Sequence, residues 1–215
     1  MAVRAFIFDM DGTILNTIPD LTMVTNVTME RLGYPQHTLD EVMSFVGNGA
    51  ERLVTQACPP GTSPEDCQRA LELWRNVYLE CGDDLTEPFP GIVETLRELR
   101  ARGMKTAVLS NKFDAAVREL SDHYFPGLFD KSLGEIPPTP RKPDPTMLLQ
   151  ILDEFGVKPE EAVYVGDTSV DVEVARNAGT KVVGVSWGYD VALPLPIQEL
   201  DAYIHEASEL LDLID

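Results

Sequence analysis

Phe6-Ile7-Phe8-Asp9-Met10-Asp11-Gly12-Thr13 is the stretch whose reading decides how this 215-residue chain folds. The apolar run Phe6-Ile7-Phe8 is too short for a helix and rich in aromatic and β-branched residues, so it reads as a buried strand. Two carboxylates follow at once, and Gly12-Thr13 turns the chain. In an extended backbone Asp9 and Asp11 point the same way. Like charges held that close are costly without a shared proton or a bound cation. Asp-Gly is also an ordinary turn pair. The pattern therefore gains chemical meaning only if the rest of the chain supplies a lysine, further carboxylates and a place for a cation.

From Pro88-Phe89-Pro90-Gly91 onward, strands and helices alternate. Strands are predicted at 105–109, 129–133, 162–165 and 181–185, with helices at 92–102, 114–123, 146–155 and 170–178. That alternation predicts an α/β fold, a doubly wound, Rossmann-like parallel sheet with helices on both faces. Residues 38–81 show no strand-like alternation. Helices are predicted at 20–32, closed by Gly33, and at 39–45, 50–58 and 64–80. In the last of these Leu71, Trp74, Tyr78 and Leu79 recur as a core row. The chain thus divides into a core of residues 1–16 and 88–215 and an inserted all-helical domain of residues 17–87. The tail beyond Gly188 is less regular, with an edge strand at 201–204 and a final helix at 207–213.

Composition narrows the function. Hydrophobic content of 44% and charged content of 25% are those of a soluble globular protein. The formal net charge of −19 argues against nucleic acid or an anionic membrane as partner, since both require an excess of Lys and Arg. No apolar run reaches transmembrane length and no signal peptide is expected, because Asp9 and Asp11 interrupt the apolar start. Cys58, Cys67 and Cys81 are an odd set with spacings unlike a zinc pair, and they read as free thiols of a cytoplasmic protein.

In an open parallel sheet, ligands bind at the carboxyl ends of the strands. Past the first strand lie Asp9 and Asp11; past the second, Ser110-Asn111; past the third, Arg141-Lys142-Pro143-Asp144; past the fourth, Gly166-Asp167-Thr168-Ser169-Val170-Asp171. Each has an ordinary alternative. Ser110-Asn111 can cap the next helix, Lys142 can be a solvated loop cation, and Asp167 with Asp171 can dress a helix N-terminus. Gathered at one edge of the sheet, they form an oxygen-rich acidic pocket suited to Mg2+, with a lysine to balance a phosphate. His37, His123 and His205 fall outside it and are read as structural.

In order, Asp9-Met10-Asp11-Gly12-Thr13, Ser110-Asn111, Lys142-Pro143-Asp144-Pro145 and Gly166-Asp167-Thr168-Ser169-Val170-Asp171 resemble the four motifs of the haloacid dehalogenase-like hydrolases. The helical insertion resembles that superfamily's cap. Phe45-Val46-Gly47-Asn48-Gly49-Ala50-Glu51-Arg52-Leu53 and Gly184-Val185-Ser186-Trp187-Gly188-Tyr189 resemble its phosphoglycolate phosphatase group.

The resemblance implies a phosphomonoester hydrolase acting on a small phosphorylated metabolite, 2-phosphoglycolate in the first instance. It implies that Asp9 is the nucleophile that forms an aspartyl-phosphate and that Asp11 is the acid/base. Lys142 and Asp171 complete the catalytic set, and Mg2+ is held by Asp9, the Asp11 carbonyl and Asp167. It implies further that Gly12, Thr13, Ser110 and Asn111 surround the phosphoryl group, while Gly47, Asn48, Gly49 and Arg52 face the rest of the substrate. A phosphomutase of the same superfamily shares all four motifs. A phosphate-accepting signalling domain shares the acidic pocket but would lack a helical cap and the second aspartate.

Overall fold

A computed structural model describes residues 2–81, 85–189, 191 and 193–214, the side chain of Cys81 excepted. In chain order the elements are β1 (Ala5–Phe8), β2 (Leu15–Asn16), α1 (Ile18–Leu32), α2 (Leu39–Met43), α3 (Gly49–Ala57), α4 (Pro64–Cys81) and β3 (Glu87–Pro88). Then come α5 (Ile92–Ala101), β4 (Lys105–Phe113), α6 (Asp114–Tyr124), β5 (Lys131–Glu135), α7 (Thr146–Phe155), β6 (Ala162–Gly166), α8 (Ser169–Ala178), β7 (Lys181–Val185) and β8 (Ala202–Ile204). Short 3-10 turns cover Pro159–Glu161, Ile197–Glu199 and Ala207–Leu213, so the last expected helix is a 3-10 segment.

Six strands form one parallel sheet in the order β5-β4-β1-β6-β7-β8. β1 lies inside it and is buried along its whole length. Its residues alternate between two cores, because successive side chains leave opposite faces of a strand. Phe6 and Phe8 join Val108, Val163 and Val165 in a core covered by α5, α6 and the 207–213 turn. Ala5 and Ile7 join Ala107, Leu109 and Tyr164 in the other, under α7 and α8. Helices on both faces make the sheet doubly wound. The strand order reverses at β1, between β4 and β6, which is where such sheets open a crevice.

Between β2 and β3, α1 to α4 pack around a third cluster built from Leu21, Val24, Leu53, Val54, Trp74 and Val77. The row expected on α4 is buried at Leu71, Trp74 and Tyr78, and the Trp74 indole donates to Thr25 Oγ1 at 3.1 Å. Leu79 departs from that row. It lies one residue past Tyr78, about 100° around the helix, and is 67% exposed. Cys58 and Cys67 are free thiols, while the expectation for Cys81 lies outside the described residues. Among the described residues no helix is long and apolar enough to cross a membrane.

The two chain crossings between the helical segment and the sheet pair with each other. β2 and β3 form an antiparallel ribbon, with Leu15 opposite Pro88 and Asn16 opposite Glu87. Pro88, expected in a plain linker, is thus part of a strand pair too short to show a periodicity. Asp20, fully buried in the first turn of α1, fixes the returning chain. Its carboxylate accepts from the Leu85 amide at 3.0 Å and from the Thr86 hydroxyl at 2.6 Å. Asp20→Ala would leave both donors without an acceptor. It is expected to lower unfolding free energy in urea by about 1–3 kcal/mol, whereas a loss below 0.5 kcal/mol, the scale of ordinary surface changes, would show that water replaces the carboxylate.

Candidate active site

β1 and β6 lie side by side, and their carboxyl ends deliver Asp9 and Asp167 to one place. α8 begins at once, so Asp171 in its first turn falls beside them. One carboxylate oxygen from each of the three lies within 4.8 Å of the others. All three are buried. The Lys142 ammonium sits among them, 2.7 Å from Asp171 Oδ1 and 3.0 Å from Asp9 Oδ1, and it donates to the Tyr164 hydroxyl at 3.0 Å. Tyr164 donates in turn to the Leu109 carbonyl at 2.7 Å.

Asp167 and Asp171, four residues apart, do not share a helix face. Instead Asp167 precedes the helix and Asp171 closes a capping box with Thr168. Asp171 Oδ2 accepts from the Asp167 and Thr168 amides and from the Thr168 hydroxyl. With Oδ1 on Lys142, both oxygens are occupied, so this residue anchors the lysine. Asp167 is oriented by the Thr13 hydroxyl at 2.8 Å and the Tyr189 amide at 2.7 Å. Thr13 is therefore turned to Asp167 and not to a substrate. Gly12 has φ 83°, and a Cβ there would come within 2.3 Å of Asp167 Oδ2. A Cβ on Gly188 would lie 2.1 Å from the Asp167 Cβ. The carboxylate is thus wedged between two glycines where no side chain fits.

β4 was expected to end at Leu109 but runs on to Phe113. Its pairing with β5 shifts there: Leu109 faces Leu133 and Phe113 faces Glu135, so β4 carries two extra residues. Such a bulge re-aims side chains. Here it turns Ser110, Asn111 and Lys112 onto the cavity wall. The capping alternative for Ser110-Asn111 fails, since Phe113 is the N-cap of α6 and makes no side-chain cap bond. The Asn111 amide donates to the Lys142 carbonyl at 3.1 Å and the Gly47 carbonyl at 3.4 Å, while its Oδ1 is buried without a partner. It bridges sheet and helices, and its donors do not point at a phosphoryl group.

Lys112 gave no sequence signal, because a lysine near a helix start reads as a solvated cation. Its Nζ is 3.1 Å from Asp11 Oδ1 and 4.9 Å from the centre of the Tyr78 ring. Leu21, Val46, Leu53 and Trp74 close the far wall, with Gly47 and Gly49. Asn48 and Arg52 do not reach the cavity wall, and Arg52 is exposed on α3. None of the three histidines lines the cavity.

Four carboxylates against two ammonium groups leave the site with negative charge. Burial pushes the Asp9 carboxyl up to about 6, against the pull of Lys142 and with the help of Asp171. Burial, then Asp171 and Asp9, hold Asp167 well above the usual carboxylate range. For Lys142 burial alone would lower the value, but Asp171 and Asp9 outweigh it and raise the ammonium well above its ordinary range. The same holds for Lys112 beside Asp11. Lys142 is near Asp9 Oδ1 without the alignment of a hydrogen bond, so that buried oxygen has no hydrogen-bond partner. Crowded carboxylates with an unsatisfied oxygen fit a hard divalent cation that takes oxygen ligands.

A parallel α/β sheet that gathers carboxylates and a lysine at its strand ends, under a lobe of helices, is an architecture suited to a hydrolase with an acidic site. The chain belongs to the haloacid dehalogenase-like hydrolase family, whose model it matches over residues 6–185. It is 34% identical over 215 residues to a phosphoglycolate phosphatase of Pseudomonas putida, covering 97% of this chain and 78% of that protein. It is 33% identical over 214 residues to the phosphoglycolate phosphatase of Aquifex aeolicus, covering 99% and 97%. Among solved structures, a protein of Lactobacillus delbrueckii subsp. bulgaricus superposes with a TM-score of 0.90 at 32% identity, over 100% of this chain and 99% of that one.

The position of Asp9 sets a pH dependence. Above about 6 its carboxylate is ionised and open to a cation, and below that value a proton holds the oxygen. Divalent-cation affinity of the metal-free protein, measured by calorimetric titration, is therefore expected to fall on acidification, with protons on Asp167 and Asp9 both competing with the cation by about pH 6. The fall should be at least roughly tenfold per unit below it. An affinity unchanged on acidification to about pH 5 would place the cation away from these carboxylates.

Proposed function

We propose that this chain is a Mg2+-dependent phosphomonoester hydrolase acting through an aspartyl-phosphate on Asp9. In this reading 2-phosphoglycolate is the substrate, and residues 17–87 act as a cap over the core. The observation that carries the reading is the convergence of Asp9, Asp167 and Asp171 at the switch point of the sheet, with Lys142 paired to Asp9 and Asp171. The choice of substrate is supported by the names of the Pseudomonas and Aquifex relatives.

Asp9 attacks phosphorus, the bond to the leaving alkoxide breaks, and Asp11 gives that oxygen its proton. Asp11 then takes a proton from the water that attacks the aspartyl-phosphate, releasing inorganic phosphate and restoring Asp9. Mg2+, held by Asp9, the Asp11 carbonyl and Asp167, would supply positive charge to the phosphoryl oxygens. Lys142, fixed by Asp171 and Tyr164, supplies a second positive charge without having to reorganise. Ser110, which lines the cavity with Asp9, would donate its hydroxyl to a phosphoryl oxygen in this scheme. The apolar wall of Leu21, Val46, Leu53 and Trp74 excludes water from the leaving group.

Phosphate release with Mg2+ from a panel of 2-phosphoglycolate, sugar phosphates, nucleotides and pyrophosphate tests the reading. Asp9→Asn is expected to fold and to release nothing above background, and Asp11→Ala to slow turnover by roughly 10²–10⁴-fold. Chelation of the metal should abolish release and added Mg2+ should restore it. Turnover by Asp9→Asn at the wild-type rate would remove the nucleophile from this scheme.

A further inference from the structure

From the position of Lys112 we infer that this residue is the specificity-determining group for a second anion on the substrate, a carboxylate carried one or two carbons from the phosphate. The inference rests on the phosphatase reading above and deepens it by assigning the recognition of the substrate's non-reacting end. Four observations carry it.

Lys112 is the one Lys or Arg on the cavity wall among the described residues, since neither Lys142, paired with Asp9 and Asp171, nor Arg52, exposed on α3, lines it. Its side chain is only 5% exposed, so it is not a solvated surface charge. A buried ammonium needs a compensating anion, and the one present is Asp11, at 3.1 and 3.5 Å. The opposite wall, Leu21, Val46, Leu53 and Trp74, offers a small anion no charged partner. Among the side chains of the cavity wall, Lys112 is thus the one positive charge offered to a second anion on a substrate.

Placement fits the same role. Lys112 is two residues beyond Ser110, and two residues of extended chain separate Cα atoms by at most about 7 Å. Ser110, Lys112, Asp9 and Asp11 line one cavity, and the Lys112 ammonium is 3.1 Å from Asp11 Oδ1, so a phosphate at Asp9 and a carboxylate at Lys112 belong to one small molecule. The ring of Tyr78 from α4 flanks the ammonium at 4.9 Å, and Phe113 packs edge-on against that ring with centres 5.1 Å apart. The aliphatic stem is thus held between sheet and helices with its charge turned to the cavity. A neutral tail of the same size would leave the ammonium on Asp11 and gain no charge contact.

The test is a ratio: kcat/KM for 2-phosphoglycolate divided by kcat/KM for ethyl phosphate, its analogue without the carboxylate. The wild-type ratio is expected to exceed one. Lys112→Gln and Lys112→Met, one polar and one apolar, should each lower it by roughly 10–100-fold, the range for hydrogen bonds to charged groups. Lys112→Arg should retain most of it. Because a ratio is independent of the folded fraction, partial unfolding of a variant does not mimic the effect. If the uncharged variants lose activity on both esters equally, Lys112 only positions Asp11 and the inference is overturned. It is overturned too if wild-type enzyme hydrolyses both esters equally well, with the phosphatase reading intact. Absence of phosphate release from either ester by wild-type protein with Mg2+ is a different result, which removes the phosphatase reading itself.

Discussion

A buried ammonium shared by Asp9 and Asp171 is the contact on which this structure depends. Three carboxylates cannot be placed side by side away from water unless positive charge is fixed among them, because each ion gives up its hydration. Lys142 provides that charge, and its own burial is tolerable only because the carboxylates surround it. The site is therefore mutually conditional. Asp171 holds the lysine with one oxygen and the start of α8 with the other, so the helix that covers one face of the sheet is tied to the charge balance of the cavity. Gly12 and Gly188 leave the room in which Asp167 joins them.

The helical segment is tied to this centre by polar contacts as well as by an apolar cluster that takes in Ala116 and Tyr189, with Phe89 and Phe113 packed against it. Asn111 reaches the Gly47 carbonyl, Tyr189 receives the Ile18 amide and donates to Asn16, and Asp20 secures the returning chain. Apolar and polar contacts alike therefore join the two parts of the chain around the cavity.

What the sequence made legible were features of pattern: strands alternating with helices, a helical insertion, and polar groups after each strand. Those depend on local periodicity and survive without knowledge of neighbours. The parts that escaped depend on pairing. The extension of β4 past Leu109 follows from a bulge against β5, and only that bulge brings Lys112 inward. Thr13 looked like a phosphate contact but its hydroxyl is claimed by Asp167, and Arg52 looked like a substrate contact but its helix face turns outward. Tyr164 was hidden inside an apolar strand, where a phenol reads as core. β2 and β3 are two residues each, below the length at which alternation can be seen.

The way Asp167 is held has a consequence for how the protein comes into being. Its carboxylate is oriented by Thr13, near the start of the chain, and by the amide of Tyr189, far along it. During synthesis Asp9 precedes its lysine at 142 and Asp11 its lysine at 112, and Asp167 lacks the Tyr189 amide until later still. The central strand itself waits, since β4 and β6 must arrive before it has a neighbour on either side. The carboxylates that follow β1 are therefore made well before the groups that set their charge balance, and the cavity closes only after β6 and the turn at Tyr189 have been synthesised.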